Sequence, residues 1–570
     1  MTRTRLFLTA LIILAVLGVW LWWIRPRVVD MSAYAPADSL LYLESNNPAD
    51  VVTALANTDA WKLVANLTGN QPPTDSNNWS RRFVRWTGIG PINSVILTRS
   101  QLAVVVTDLG VAQDDETLTV KPEGALLVET HTAESRIKSP VEQALKKFAE
   151  TAYGQPTLTR TKVDGFEFIE WIAPGGSRQV VATITGSLVI VGNTERAVQK
   201  TLAVALHSQP SLKDDQGLKK LRLDLRADQA LAFGYVPAKS SGRLLSVAVP
   251  MVLGRAPRNS EFERLIDKAS AKVVASLGWS STPFTNGIED RYRIDLQPAV
   301  VAKLKESFSC PQGELSLSPG LPDNFSSVTY YRFQNPTMAW QGLKTSVASQ
   351  VDALSAILFS SLLRSALLPY GINEPDKFLS QVDGPVLTAR LDQDIGLILI
   401  AKMRDQRAMR DLLMKGMGFE VIDSKSNAEV FRNSKSEFVA RFVNGFIAMG
   451  SPPDVARYVE KTAFTSTSPP STSPPILLTP LSNGSCVLTY TDDMERIRAF
   501  VATVVAAGGR TVPWSDQTEQ ILGSLPYSVT ETNLGERGIE RVTRSSLGQF
   551  STLLPLVFPE RKKAEENSGR

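Results

Sequence analysis

Nineteen consecutive residues, Leu6 to Ile24, carry no charge, and that run constrains everything that follows it. As a helix it would extend about 28 Å, the thickness of a bilayer's hydrocarbon core. Trp20, Trp22 and Trp23 crowd its end, where indole rings favour the membrane–water interface. Arg25-Pro26-Arg27 then stops a helix with charge and a ring that breaks it. The expectation is a transmembrane anchor over residues 6–24, behind a cytoplasmic tail of residues 1–5. A cleaved signal peptide is the competing reading, because Ala33-Tyr34-Ala35 resembles a small-x-small cleavage site. That site lies past two arginines and the tryptophan cluster, which favours retention. The only cysteines are Cys310 and Cys486, so a lipobox is excluded.

Arg3, Arg5, Arg25 and Arg27 divide evenly around the run, so the positive-inside rule is nearly balanced. A five-residue tail is more easily left in the cytoplasm than a long body is, and export of the body is expected. With those four arginines set aside, the body is balanced at 57 basic and 57 acidic residues. A nucleic-acid binder would carry a net basic face, so no nucleic acid is expected as a partner. Two cysteines fit an oxidising compartment, where Cys310 and Cys486 form a candidate disulfide pair.

At 570 residues the chain exceeds one hydrophobic core. Its landmarks recur. Tyr42-Leu43-Glu44-Ser45-Asn46-Asn47-Pro48 is matched by Tyr330-Tyr331-Arg332-Phe333-Gln334-Asn335-Pro336, each a strand entering an Asn-Pro helix start. Gly186 to Gly192 is matched by Gly445 to Gly450, Leu231 to Tyr235 by Val487 to Tyr490, and Asn286-Gly287-Ile288-Glu289 by Arg537-Gly538-Ile539-Glu540. The offsets fall from 288 to 258, 255 and 251, as expected of a duplication with loop deletions. Two polar stretches of the first half, Asn66–Arg82 and Asp108–Gly124, are natural places for its extra residues.

The expected fold class is α+β: an N-terminal transmembrane helix followed by two similar tandem α+β halves with mainly antiparallel sheets. The boundaries are a linker at 25–35, a first half at 36–308, a linker at 309–320 and a second half at 321–558. A Ser/Thr/Pro-rich loop at 464–475 and a disordered tail at 559–570 complete the chain. Ser139-Pro140-Val141-Glu142 reads as a capping box opening a helix that Gly154 ends. Trp340, Leu343, Val347, Val351, Leu354 and Leu358 recur at helical spacing, as on one face of a long helix.

Chemical motifs are sparse. His131 and His207 are the only histidines and the cysteines lack CxxC spacing, so no metal site is expected. Gly88-Ile89-Gly90 lacks the third glycine of a dinucleotide fingerprint, and Pro91 follows where a helix should open, so no cofactor is expected. Ser135-Arg136-Ile137-Lys138 matches the S-x-x-K pattern of envelope acyl-transfer enzymes. The capping signals start the helix after the lysine, which argues against it. Glu289 with Arg291, and Glu540 with Arg541, recur in both halves as a shared acid–base site or as structural ion pairs, the second reading being favoured. No residue is assigned a catalytic role.

The anchor, the Pro36-Ala37-Asp38 opening with its Ser39–Leu43 strand, and the Gly186–Val198 unit together resemble an uncharacterised group of bacterial membrane-anchored exported proteins classed as a domain of unknown function. That resemblance implies a single-pass protein of the bacterial inner membrane with its body in the periplasm, and supplies no activity. The expected role is a binding, scaffold or assembly module of the cell envelope, its partners the membrane through residues 6–24 and an envelope protein. The alternatives are an envelope hydrolase with an undetected active site and a chaperone-like holder of exported proteins. The apolar segment Leu553 to Phe558 is a candidate binding patch, with packing onto the protein's own sheet as the simpler reading.

Overall fold

The computed structural model describes residues 28–62, 99–113, 118–176, 178–253, 260–310, 325–391, 396–423, 429–434, 436–464, 484–507 and 515–557. The anchor, most of the linker between the halves, the Ser/Thr/Pro-rich loop, the tail, Asn66–Arg82 and Gly88–Pro91 lie outside those residues. Among the described residues no helix is long and apolar enough to cross a membrane.

Among the described residues twenty strands form one antiparallel sheet, with helices between several of them. The first ten are β1 (Leu41–Ser45), β2 (Gln101–Gln113), β3 (Leu118–Glu129), β4 (Thr157–Val163), β5 (Phe166–Ile172), β6 (Gln179–Thr185), β7 (Leu188–Gly192), β8 (Ala232–Pro237), β9 (Val274–Phe284) and β10 (Gly287–Leu296). The second ten are β11 (Ser327–Tyr331), β12 (Val382–Arg390), β13 (Leu397–Met403), β14 (Phe419–Asp423), β15 (Val430–Asn433), β16 (Val439–Val443), β17 (Phe446–Gly450), β18 (Val487–Thr491), β19 (Ser528–Leu534) and β20 (Gly538–Ser545).

Bonded neighbours run β4-β5-β6-β7-β3-β2-β1-β8-β9-β10, then β20-β19-β18-β11-β12-β13-β17-β16-β15-β14. Strands β11 to β20 therefore repeat the neighbour order of β1 to β10, ten places on. The four landmark pairs fall on strands ten places apart: Tyr42 and Tyr330 on β1 and β11, Gly192 and Gly450 on β7 and β17, Tyr235 and Tyr490 on β8 and β18, Gly287 and Gly538 on β10 and β20. Where two sheets were expected there is one, because β10 pairs with β20 across the join.

At that join Ile288 faces Ser545 and Ile294 faces Ile539 in an antiparallel ladder. The helices that follow the two strands pack differently: the first crosses to the other half, and the second lies in a core that both halves share. In the helix Pro298–Ser307, Val300, Val301 and Leu304 pack with Leu343, Leu534 and Ile539 of the other half. In the helix Phe550–Val557, Phe550 and Leu553 pack with Leu55, Trp279 and Ile288. Of the proposed apolar patch, Leu553 is thus turned into this shared core, against helices and sheet alike.

Local sequence explains several starts and stops. Asn47 accepts from the Ala49 amide and Asn335 from the Met338 amide, capping the two Asn-Pro helices. The long helix expected from Trp340 to Leu358 is instead two, Pro336–Ala348 and Ala353–Ser365. Asp352 divides them, since its carboxylate accepts from the Ser355 amide at 3.0 Å and begins a new helix. The helix expected from Ser139 starts at Glu134 and carries Pro140 inside it. Ile137, buried against Val128 and Val189, holds the extra turn by tertiary packing. Asp108 to Gly124 extends the β2–β3 hairpin, with pairs from Asp108–Glu123 out to Gln113–Leu118.

The linker at 25–35 also differs from expectation. Met31 and Ala35 are fully buried in the first-half core. Val29 is held at both ends of its peptide unit, the Gln101 side-chain amide accepting from its N–H at 2.7 Å and donating to its C=O at 2.9 Å. Arg222 reaches Asp30 at 2.8 Å and grips Glu44 through two bonds of 2.6 and 3.1 Å. The chain is clamped to the body from Val29 onward.

Candidate functional site

An open cleft of about 550 Å³ lies where β3 ends and the β6–β7 turn returns, beside the clamped Val29. Tyr34, Glu129, His131, Thr132 and Ser187 line it. Glu129 is the last residue of β3 and is buried. Its Oε1 accepts from the His131 amide at 2.9 Å, and the His131 Nδ1 lies 3.9 Å from the same oxygen. His131 takes a left-handed φ of 52°, which turns the chain sharply after the strand. Burial, then the charge and hydrogen bond of Glu129, push the Tyr34 phenol up, so it stays a proton donor.

Two threonine hydroxyls in and beside the cleft are committed. Thr130 Oγ1 donates to the Ser187 carbonyl at 2.8 Å, and Thr132 Oγ1 to the Thr130 carbonyl at 3.1 Å. A nucleophile activated by His131 or Glu129 would direct its proton at one of them. The arrangement offers a phenol donor, an imidazole and a shielded carboxylate, which suits recognition of a polar group.

The S-x-x-K residues border this cleft. The earlier helix start places Ser135 in the first turn and Lys138 one turn on, contrary to the sequence expectation. Lys138 bonds Glu167 at 2.6 Å, and that bond pushes the ammonium up. A lysine acting as base must be pushed down, the opposite of what Glu167 does to Lys138.

Glu289 and Glu540 each form ion pairs at the join. Glu289 bonds Arg544 at 2.8 Å and Arg291 at 2.7 Å, and Glu540 lies 3.2 Å from Arg293. Burial raises the Glu289 carboxyl, but the Arg544 and Arg291 bonds outweigh it and leave it lowered. Arg541 lies over the Tyr292 ring at 5.6 Å. Beside them Asp290 is buried, pushed up to about 6 by desolvation against donors from Trp279 Nε1 and the Gln549 amide. Its enclosure makes it a core group. These charges join the halves.

Cys310 and Cys486 are joined by a disulfide, with Cα atoms 5.0 Å apart. His207 is exposed at the end of its helix, remote in sequence from other ligand types. Among the described residues no cluster of three or more His, Cys, Asp or Glu side chains could hold a metal ion. Tyr34 and Glu129 were not singled out from sequence, and His131 only as a scarce metal ligand. Residues 95 positions apart meet here, and no local spacing announces it. Comparison with family models, curated proteins and solved structures finds no match to this chain.

Proposed function

We propose that this chain is a membrane-anchored, extracytoplasmic binding or scaffold module of the cell envelope, built by tandem duplication of a ten-strand α+β unit. The observation that carries the reading is the continuous sheet in which β11 to β20 repeat the neighbour order of β1 to β10. Twenty strands at about 4.8 Å spacing extend roughly 90 Å along the sheet, a platform far larger than a small-molecule site needs. The Cys310–Cys486 disulfide supports an oxidising compartment, and the uncharged run Leu6–Ile24 supports an anchor. The resemblance to anchored exported proteins points the same way.

Crosslinking in intact cells, with the chain tagged at its C-terminus, tests the role. A binding module should capture a reproducible envelope partner, and the capture should fall when surface residues of the platform are altered. Capture of cytosolic proteins alone would overturn the reading. Location is tested by treating whole cells with a membrane-impermeant thiol reagent after reduction. Cys310 and Cys486 should be modified in cells whose outer layer is opened but whose inner membrane is intact.

A further inference from the structure

We infer that the end of the sheet bearing the Glu129–His131 cleft is held against the headgroup layer of an anionic phospholipid bilayer. The inference rests on the anchor reading of Leu6–Ile24 and adds an orientation to it. The clamp at Val29 leaves only residues 25–28 between the hydrophobic run and the body. Four residues, fully extended, span about 14 Å. Val29 lines the cleft, so the cleft cannot lie further from the bilayer than that tether and its own width allow.

The clamp is firm enough to transmit that restraint. Gln101 bonds both sides of Val29, Arg222 bonds Asp30, and Met31 and Ala35 are fully buried behind them. The chemistry of this rim suits an anionic surface. Arg99 and Arg136 are exposed there, and Arg25 and Arg27 lie in or beside the tether. Of the acidic groups nearest the cleft, Glu129 is buried and Asp30 is bonded to Arg222, while Asp164 in the β4–β5 turn is exposed beside Lys162. Glu134 is exposed, with Oε2 accepting from the Gly186 amide at 3.3 Å. Basic residues within a Debye length of anionic lipid are drawn toward it.

The test uses the full chain in vesicles of phosphatidylethanolamine and phosphatidylglycerol containing a lipid with a nitroxide on its headgroup. Ala133→Cys places a fluorescent label beside the cleft. Pro174→Cys places one in the β5–β6 turn, at the opposite end of the strands. The Ala133→Cys label should be quenched at least twofold more strongly than the Pro174→Cys label. Equal quenching on chains that float with the vesicles would overturn the orientation and leave the anchor standing. Failure to float after a carbonate wash would overturn the anchor and the orientation with it. A twelve-residue Gly-Ser insertion between Arg27 and Val28 should abolish the contrast without affecting flotation. Contrast that survives it would overturn the short tether as the cause.

Discussion

Asp290 shows how a single carboxyl can set the pH response of the join. Its folded value near 6 stands above the ordinary 3.8, raised by desolvation. The protonated form is therefore favoured by folding. That contribution is complete below about pH 4 and is lost as pH rises through 6, a change of about 3 kcal/mol. Asp290→Asn should remove the dependence. Urea unfolding from pH 4 to 8 should show the variant gaining on the native chain up to a little above pH 6 and no further, and parallel curves throughout would contradict the assignment. Glu289 has the opposite sign. Its lowered carboxyl stabilises above the ordinary carboxylate range, and the contribution is lost on acidification. Because Glu289 is buried and Glu540 is half exposed, Glu289→Gln should cost about 1–3 kcal/mol and Glu540→Gln less than about 1. Equal losses by denaturant titration would mean that exposure does not separate the two pairs. That these glutamates would recur was legible in the sequence; that each would pair with an arginine of the other half was not.

Among the elements, the β7 and β17 hairpins carry the clearest sequence signature and the clearest reason for it. Asn444 and Gly445 both take left-handed φ, as a two-residue hairpin turn requires. Gly450 serves another purpose. A Cβ there would lie 2.3 Å from the Leu397 carbonyl oxygen, so the glycine lets β13 and β17 close. Gly445→Ala meets no neighbour and should cost about 1 kcal/mol through backbone strain alone. Gly450→Ala should cost about 3 kcal/mol or more by forcing the strands apart. Thermal unfolding of the two variants would rank them, and the reverse order would refute the close-approach argument. Helix starts were less legible. Asn-Pro caps were read correctly because a cap is local. The helix at Glu134 was misplaced because Ile137 is held by strands far away in sequence.

For the whole molecule, the disulfide and the shared core bind one half to the other. The Cys310–Cys486 bridge closes a loop of 176 residues, from the end of the first half to the entry of β18. Removing it by Cys310→Ser with Cys486→Ser should lower stability by about 2–5 kcal/mol, and reductant should reproduce the loss in the native chain. An unchanged unfolding midpoint under both treatments would show that the shared core and the β10–β20 pair hold the halves without it.

What the sequence determined by itself was local: a hydrophobic run long enough for a bilayer, strand and helix types in recurring order, and caps set by side chains a few residues away. Periodicity reports which face of an element is buried, but not what covers it. The tertiary structure alone decided that two runs of ten strands share one sheet, that the helix after β10 crosses to the other half, and that Val29 to Ala35 is clamped. It alone brought Tyr34 to Glu129. Each of those outcomes depends on pairing and packing between residues tens to hundreds of positions apart, and no spacing along the chain encodes such a choice of partner.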